Sequence, residues 1–205
     1  NTHQPSVTKV SGTKKWDDNQ NQDGLRPKAV TINLLANGKQ VAQQQVTAAD
    51  HWRYHFKNLP MYQNGKKIVY TITEATVKDY TTQVKGYDVI NHYTPMKTGV
   101  TVTKHWNDQA DQDGLRPKSI KVQLYANGKK SGAPVILSEA TDWTYTWKDL
   151  AAKQNGKQIK YVVKEAQKIP GYTTQIDRHD QGNIMITNTH QPSVTKVSGT
   201  KKWDD

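Results

Sequence analysis

Three polar residue types recur in register where the surrounding pattern is apolar: Lys14 and Lys104, Glu74 and Glu165, Asn91 and Asn188. They supply an amine, a carboxyl that can carry a proton, and a carboxamide. Lys14 is in phase with Val10 and Trp16, and Lys104 with Val100, Val102 and Trp106. Glu74 follows Tyr70 and Ile72, Glu165 follows Tyr161 and Val163, and the asparagines follow Val89 and Ile186. A polar group buried without a partner costs on the order of 2–7 kcal/mol. The three side chains of each copy must therefore meet, or the strand ends must open to water. A buried lysine–glutamate ion pair with a hydrogen-bonding asparagine would satisfy them, and so would reaction of the amine at the carboxamide. The pattern alone admits both.

Glutamate usage narrows attention further. The chain has only Glu74, Glu139 and Glu165, and two of these occupy equivalent positions. Lysine to glutamate is 60 residues in one copy and 61 in the other; glutamate to asparagine is 17 and 23. The extra length of the second copy falls in 168–183, which reads as a loop between strands.

The elements that must position these residues are strands. Apolar and polar residues alternate in short runs, the period of a half-buried strand. Val30, Ile32 and Leu34 match Ile120, Val122 and Leu124; Trp52, Tyr54 and Phe56 match Trp143, Tyr145 and Trp147. Asn37-Gly38 and Asn127-Gly128 suit type I′ turns, whose two central residues need positive φ, and Asn64-Gly65 and Asn155-Gly156 repeat the signal. Six or seven short strands per copy, with turns about every ten residues, indicate a β-sandwich. Residues 1–18 and 188–205 are identical, so the chain reads as an internal piece of a tandem array. Expected boundaries are 6–95 and 96–192 for two domains, 1–5 for the end of a preceding repeat and 193–205 for the start of a following one. A short stiff linker is expected from Thr94-Pro95 to Gly99.

Composition excludes several functions. With no cysteine, disulfides, thiolate metal sites and thiol catalysis are impossible. Small exported domains usually need a staple, so either the cores suffice or another cross-link serves. The net charge of +11 is spread along the chain, which favours solubility and general affinity for polyanions. No basic stripe with interleaved aromatics marks a nucleic-acid site. No segment is apolar enough to span a bilayer and no signal peptide is present. The 19–24 stretch resembles the start of a calcium loop, but Val30 stands where the bidentate glutamate belongs. His51 and His55 have no histidine counterparts in the second copy, so no metal or cofactor is expected. The tryptophans at 16, 52, 106, 143 and 147 read as core residues.

Lys14-Lys15-Trp16-Asp17-Asp18 and Lys104-His105-Trp106-Asn107-Asp108 resemble the opening strand of collagen-adhesin B-type (CnaB) repeats. So do DGLRPK at 23–28 and 113–118, LLANGK and LYANGK, the YTITE and YVVKE strands, DYTTQ and GYTTQ, and the closing VIN and ITN. The likeness covers essentially all of both copies, with every motif in order and duplicated. It implies a reversed-immunoglobulin, prealbumin-like sandwich. It also implies a self-formed isopeptide bond between first and last strands, Lys14–Asn91 promoted by Glu74 and Lys104–Asn188 promoted by Glu165. Lys15 points outward by parity and is His105 in the second copy. Gly12 replaces Val102, and His92-Tyr93 replaces Thr189-His190; neither change removes a reacting group.

The chemistry is self-consistent. A lysine must be neutral to attack, and burial disfavours its charged form. A neutral carboxyl can polarise the amide carbonyl and then shuttle protons as ammonia leaves. Folding supplies near-attack contact, and each site reacts once, so no enzyme activity is expected. The function implied is a stalk segment of an extracellular, cell-wall-anchored Gram-positive surface protein. The chain is expected to be a monomer that neighbours other repeats, with host glycoprotein or matrix ligands bound by other regions and neither nucleic-acid binding nor membrane insertion. The alternative is a direct adhesive module for mucin, matrix protein or another polyanion.

Overall fold

The computed structural model describes residues 3–205. Asn1, expected to be the closing asparagine of a preceding repeat, lies outside the described residues. Domain 1 is built from β1 (Val7–Asp17), β2 (Ala29–Ala36), β3 (Lys39–Thr47), β4 (Arg53–Pro60), β5 (Tyr70–Glu74), β6 (Thr81–Lys85) and β7 (Asp88–His92). Domain 2 repeats the series as β8 (Lys97–Asn107), β9 (Ser119–Ala126), β10 (Val135–Ser138), β11 (Thr144–Ala151), β12 (Tyr161–Glu165), β13 (Thr173–Asp180) and β14 (Asn183–Thr189). Two-residue ladders flank the turns at Asn64-Gly65 and Asn155-Gly156.

Each domain is a sandwich of two sheets. In domain 1 one sheet runs β4-β1-β7-β6 and the other β3-β2-β5; in domain 2 the orders are β11-β8-β14-β13 and β10-β9-β12. The first and last strands of each domain are parallel neighbours, while the remaining pairings are antiparallel. Val10, Tyr54 and Val89 from one sheet of domain 1 meet Val30, Ile32, Leu34, Val46 and Ile72 from the other. Alternation along β2 produces this: Val30, Ile32 and Leu34 are buried while the residues between them are partly exposed. The expected I′ turns are present, with φ of 49° and 83° at Asn37-Gly38 and 48° and 81° at Asn127-Gly128.

Two sequence expectations are corrected. Residues 97–99 are not linker: Lys97 and Thr98 already pair with Ala151 and Leu150, and the register shifts between Thr98 and Val100. Gly99 sits at that bulge, where a Cβ would lie 3.1 Å from the Trp147 carbonyl oxygen; a glycine at a bulge does not end a strand. The extra length at 168–183 is not simply loop either. It lengthens a hairpin, with β13 eight residues long against five in β6. As a result β14 pairs with β8 from Thr101 to Asn107, whereas β7 pairs with β1 only from Lys14 to Asp17.

The chain leaves each last strand through an aspartate. In domain 1 Asp23 accepts from the Tyr93 hydroxyl at 2.8 Å and from the Met96 amide at 2.9 Å. In domain 2 Asp113 pairs with His190 Nε2 at 3.0 Å and accepts from the Ser193 amide at 2.8 Å.

Candidate functional site

Lys14 lies on β1 and Asn91 on β7. Because Lys14 is the register partner of Val89 and Trp16 that of Asn91, lysine and asparagine share the inward face of adjacent parallel strands. Glu74 ends β5 in the opposite sheet, across from Ile32. Domain 2 repeats this: Lys104 pairs with Ile186 and Trp106 with Asn188, while Glu165 pairs with Val122. Thus the strands bring each lysine and asparagine to one inner face, with the glutamate rising from the sheet opposite.

Burial is nearly complete. Lys14 and Lys104 are 3% and 4% exposed, and Asn91 and Asn188 are at 0%. Lys14 Nζ is 3.8 Å from Glu74 Oε1, with neither side chain exposed. It also donates to the Lys15 carbonyl at 2.8 Å and lies 3.8 Å above the Trp16 ring. Lys104 Nζ donates to the His105 carbonyl at 2.9 Å and lies 3.5 Å above Trp106. Lys15, by contrast, is exposed and pairs with Asp88.

Desolvation pulls both lysines down from 10.5 to about 8, against the opposing attraction of Glu74 and Glu165. A drop of that size raises the neutral-amine fraction at pH 7 by roughly two to three orders of magnitude. The acceptors are unusual in the opposite sense. Among the described residues, neither Nδ2 nor Oδ1 of Asn91 or of Asn188 has a hydrogen-bond partner, and Oε1 of each glutamate also lacks one. Such orphans cost about 1–3 kcal/mol each. The same asparagine and glutamate atoms recur in both domains, and buried unpartnered polar groups of this kind are rare enough to call for an explanation.

The surrounding frame is duplicated too. Trp16 meets Trp52 and Tyr80 edge-on at 5.2 and 5.1 Å; Trp106 meets Trp143 and Tyr172 at the same two distances. Buried Asp18 accepts two bonds from Arg26 and one from Tyr80, and buried Asp108 does the same with Arg116 and Tyr172. Burial alone would raise Asp18, but Arg26, the Asn21 amide and Tyr80 together hold it below the usual carboxylate range. Burial and the Asp108 bond push Tyr172 up to about 12. Both arginines lie over the tryptophan that carries the lysine.

The sequence profile of the Cna protein B-type domain matches residues 10–92 and 100–189. The chain belongs to the Cna B-type domain family. A collagen adhesin of Staphylococcus aureus is 51% identical over all 205 residues, and the chain spans 17% of that protein's length. The crystal structure of a single B repeat unit (B1) of the collagen-binding surface protein of S. aureus is also 51% identical. That match covers 91% of this chain and 100% of the solved one, with a TM-score of 0.46. A structure of two such units matches with the same identity and score over 50% of its length. In these Cna B-type domains, sequence reasoning passed over two groups of residues. Asp18–Arg26–Tyr80 and its counterpart were signalled by the repeated arginine of DGLRPK. Thr82 Oγ1 donates to Glu74 Oε2 at 2.8 Å, and Thr174 Oγ1 to Glu165 Oε2 at 3.0 Å. Both threonines lie in the repeated TTQ.

Proposed function

We propose that each domain closes itself with an isopeptide bond, Lys14 to Asn91 assisted by Glu74 and Lys104 to Asn188 assisted by Glu165. The neutral amine attacks Cγ of the asparagine, forming a C–N bond. The glutamate takes the proton the amine loses and delivers it to Nδ2, and the Cγ–Nδ2 bond breaks with release of one ammonia. Amine plus primary amide becomes secondary amide plus ammonia, with no oxidant, metal or cofactor consumed. The observation that carries this reading is the fully buried, unpartnered carboxamide beside a deprotonation-prone lysine, present twice. Packing by the sandwich supplies the proximity that an external enzyme would otherwise provide.

The two domains then serve as a stalk segment of a cell-wall-anchored, extracellular adhesin of a Gram-positive bacterium, with residues 1–5 and 193–205 belonging to neighbouring repeats. Tandem copies, absence of cysteine and relatedness to a collagen adhesin support this role. Closing a loop of about 78 residues contributes roughly 4–5 kcal/mol if a chain-entropy account applies. A bond between adjacent first and last strands also carries tension past the rest of each sandwich. Intact-mass measurement tests the reaction: the expected mass is the sequence mass less one ammonia per domain. An unmodified mass rejects it, and strong salt-sensitive ligand binding by the isolated pair would favour direct adhesion over spacing.

A further inference from the structure

We propose that Thr82 and Thr174 are positioning residues for bond formation, each selecting which oxygen of its domain's glutamate carries the proton. The inference rests on the isopeptide reading above. Thr82 stands directly opposite Asn91 in the β6–β7 ladder, and Thr174 directly opposite Asn188 in β13–β14. Each hydroxyl therefore comes from the cross-strand neighbour of the asparagine and reaches the glutamate of the other sheet. Its single proton is donated to Oε2, at 2.8 Å in domain 1 and 3.0 Å in domain 2.

The two carboxyl oxygens are thereby made unequal. Oε2 is engaged as an acceptor, while Oε1 is buried without a partner in both domains. In domain 1 it is Oε1 that lies 3.8 Å from the lysine nitrogen. A proton taken from the amine is received on Oε1 and passed from Oε1 to the departing Nδ2, while the threonine bond stops the carboxyl from turning. Without the hydroxyl the carboxyl rotates freely, and only a small share of its orientations turns the proton-carrying oxygen toward both the amine and Nδ2. The hydrogen bond itself is ordinary; its value lies in orientation, which proximity-driven reactions reward.

The two-domain chain contains its own control, because one domain can be altered while the other times the reaction. Chain made in a cell-free system is sampled after translation is arrested, and ammonia loss is followed by intact mass, with cross-linked peptides assigning each event to a domain. Thr82→Val should slow domain 1 by about tenfold and leave domain 2 unchanged; Thr174→Val should do the converse. Thr82→Ser, which restores the hydroxyl, should return domain 1 to within about threefold of the parent rate. A valine variant that cross-links at the parental rate overturns the proposal. A serine variant as slow as valine, or loss of the near-UV tryptophan signal in the valine variants, assigns the threonine to packing and also overturns it. If the parent chain loses no ammonia in either domain, the isopeptide reading itself has failed, which is a different result from any of these.

Discussion

Within the first strand of domain 1 stands Gly12; at the same place in domain 2 stands Val102, fully buried. The difference extends through two more positions. Tyr54 is buried at 1% in domain 1 and its hydroxyl donates to the Tyr87 carbonyl, whereas its counterpart Tyr145 is 40% exposed. Tyr87 is itself exposed, and its counterpart Ile184 is a core residue. In domain 1, therefore, a phenol and a backbone carbonyl fill the space over a glycine. In domain 2 a valine and an isoleucine fill it, and the parallel ladder continues to Asn183. Where that ladder is missing in domain 1, the Asp88 carboxylate takes over and accepts from the Thr13 amide and hydroxyl at 3.0 and 2.9 Å. The core under the first strand has been rebuilt, while in both domains the lysine lies over its tryptophan, the asparagine is fully buried and the threonine bonds the glutamate; the 3.8 Å approach of lysine to glutamate belongs to domain 1. Buried lysine and asparagine are thus compatible with two different packings beneath the first strand.

The largest expected effect tests whether the chemistry is equivalent. Asn91→Ala and Asn188→Ala should each remove one ammonia loss and cost the affected domain about 4–5 kcal/mol, seen by calorimetry as one displaced transition. A cost confined to one domain would break the equivalence. Packing differences come next. Gly12→Val should destabilise domain 1 by about 3 kcal/mol, because even a Cβ at Gly12 overlaps the Tyr87 carbonyl and lies 2.6 Å from the Tyr54 hydroxyl. Val102→Gly should cost domain 2 about 2–3 kcal/mol through an unfilled cavity. Denaturant melts of the two variants would show whether the two cores are interchangeable.

Rate should follow pH alike in both domains. Only the neutral amine reacts, and both lysines are drawn to about 8. Cross-linking measured by mass should accelerate roughly tenfold per pH unit below that value and level off above it. The smallest effect separates the domains at their exits. Asp113 and the Gly171 carbonyl raise His190 above 6.5. Its contribution to domain 2 stability is thus complete below pH 6.5 and is lost as pH rises through the raised folded value. Tyr93 stays neutral across that range, since its pKa is raised from 10 by its bond to Asp23. A pH series of melting temperatures should show a slope in domain 2 that His190→Phe abolishes, and none from Tyr93.

Much of this was legible in the residues. Val30-Ile32-Leu34 and the Asn-Gly pairs announce strands and turns through period and positive φ, which are local properties. Lys14, Glu74 and Asn91 stood out because a polar group in phase with apolar neighbours is costly, and duplication repeated the anomaly. Thr82 and Thr174 escaped notice because they sit on strands with few apolar residues, where threonine is unremarkable. Residues 175–180 passed for loop because they are largely polar, yet their backbone groups still complete a ladder. Asp18 and Arg26 looked like part of a polar loop, since burial of a matched charge pair leaves no apolar signature.

Gly12 also bears on how such a chain assembles as it emerges during synthesis. The first strand of each domain pairs with the last, so the sandwich cannot close until its last strand has emerged, and the opening strand of the next domain follows directly behind as a rival for the same place. That competitor is β8, with Val102 in the slot. Seated in domain 1, the valine side chain would meet the Tyr87 carbonyl, which leaves no room for a Cβ there. One missing side chain would thus disfavour the neighbouring, otherwise similar strand in that place.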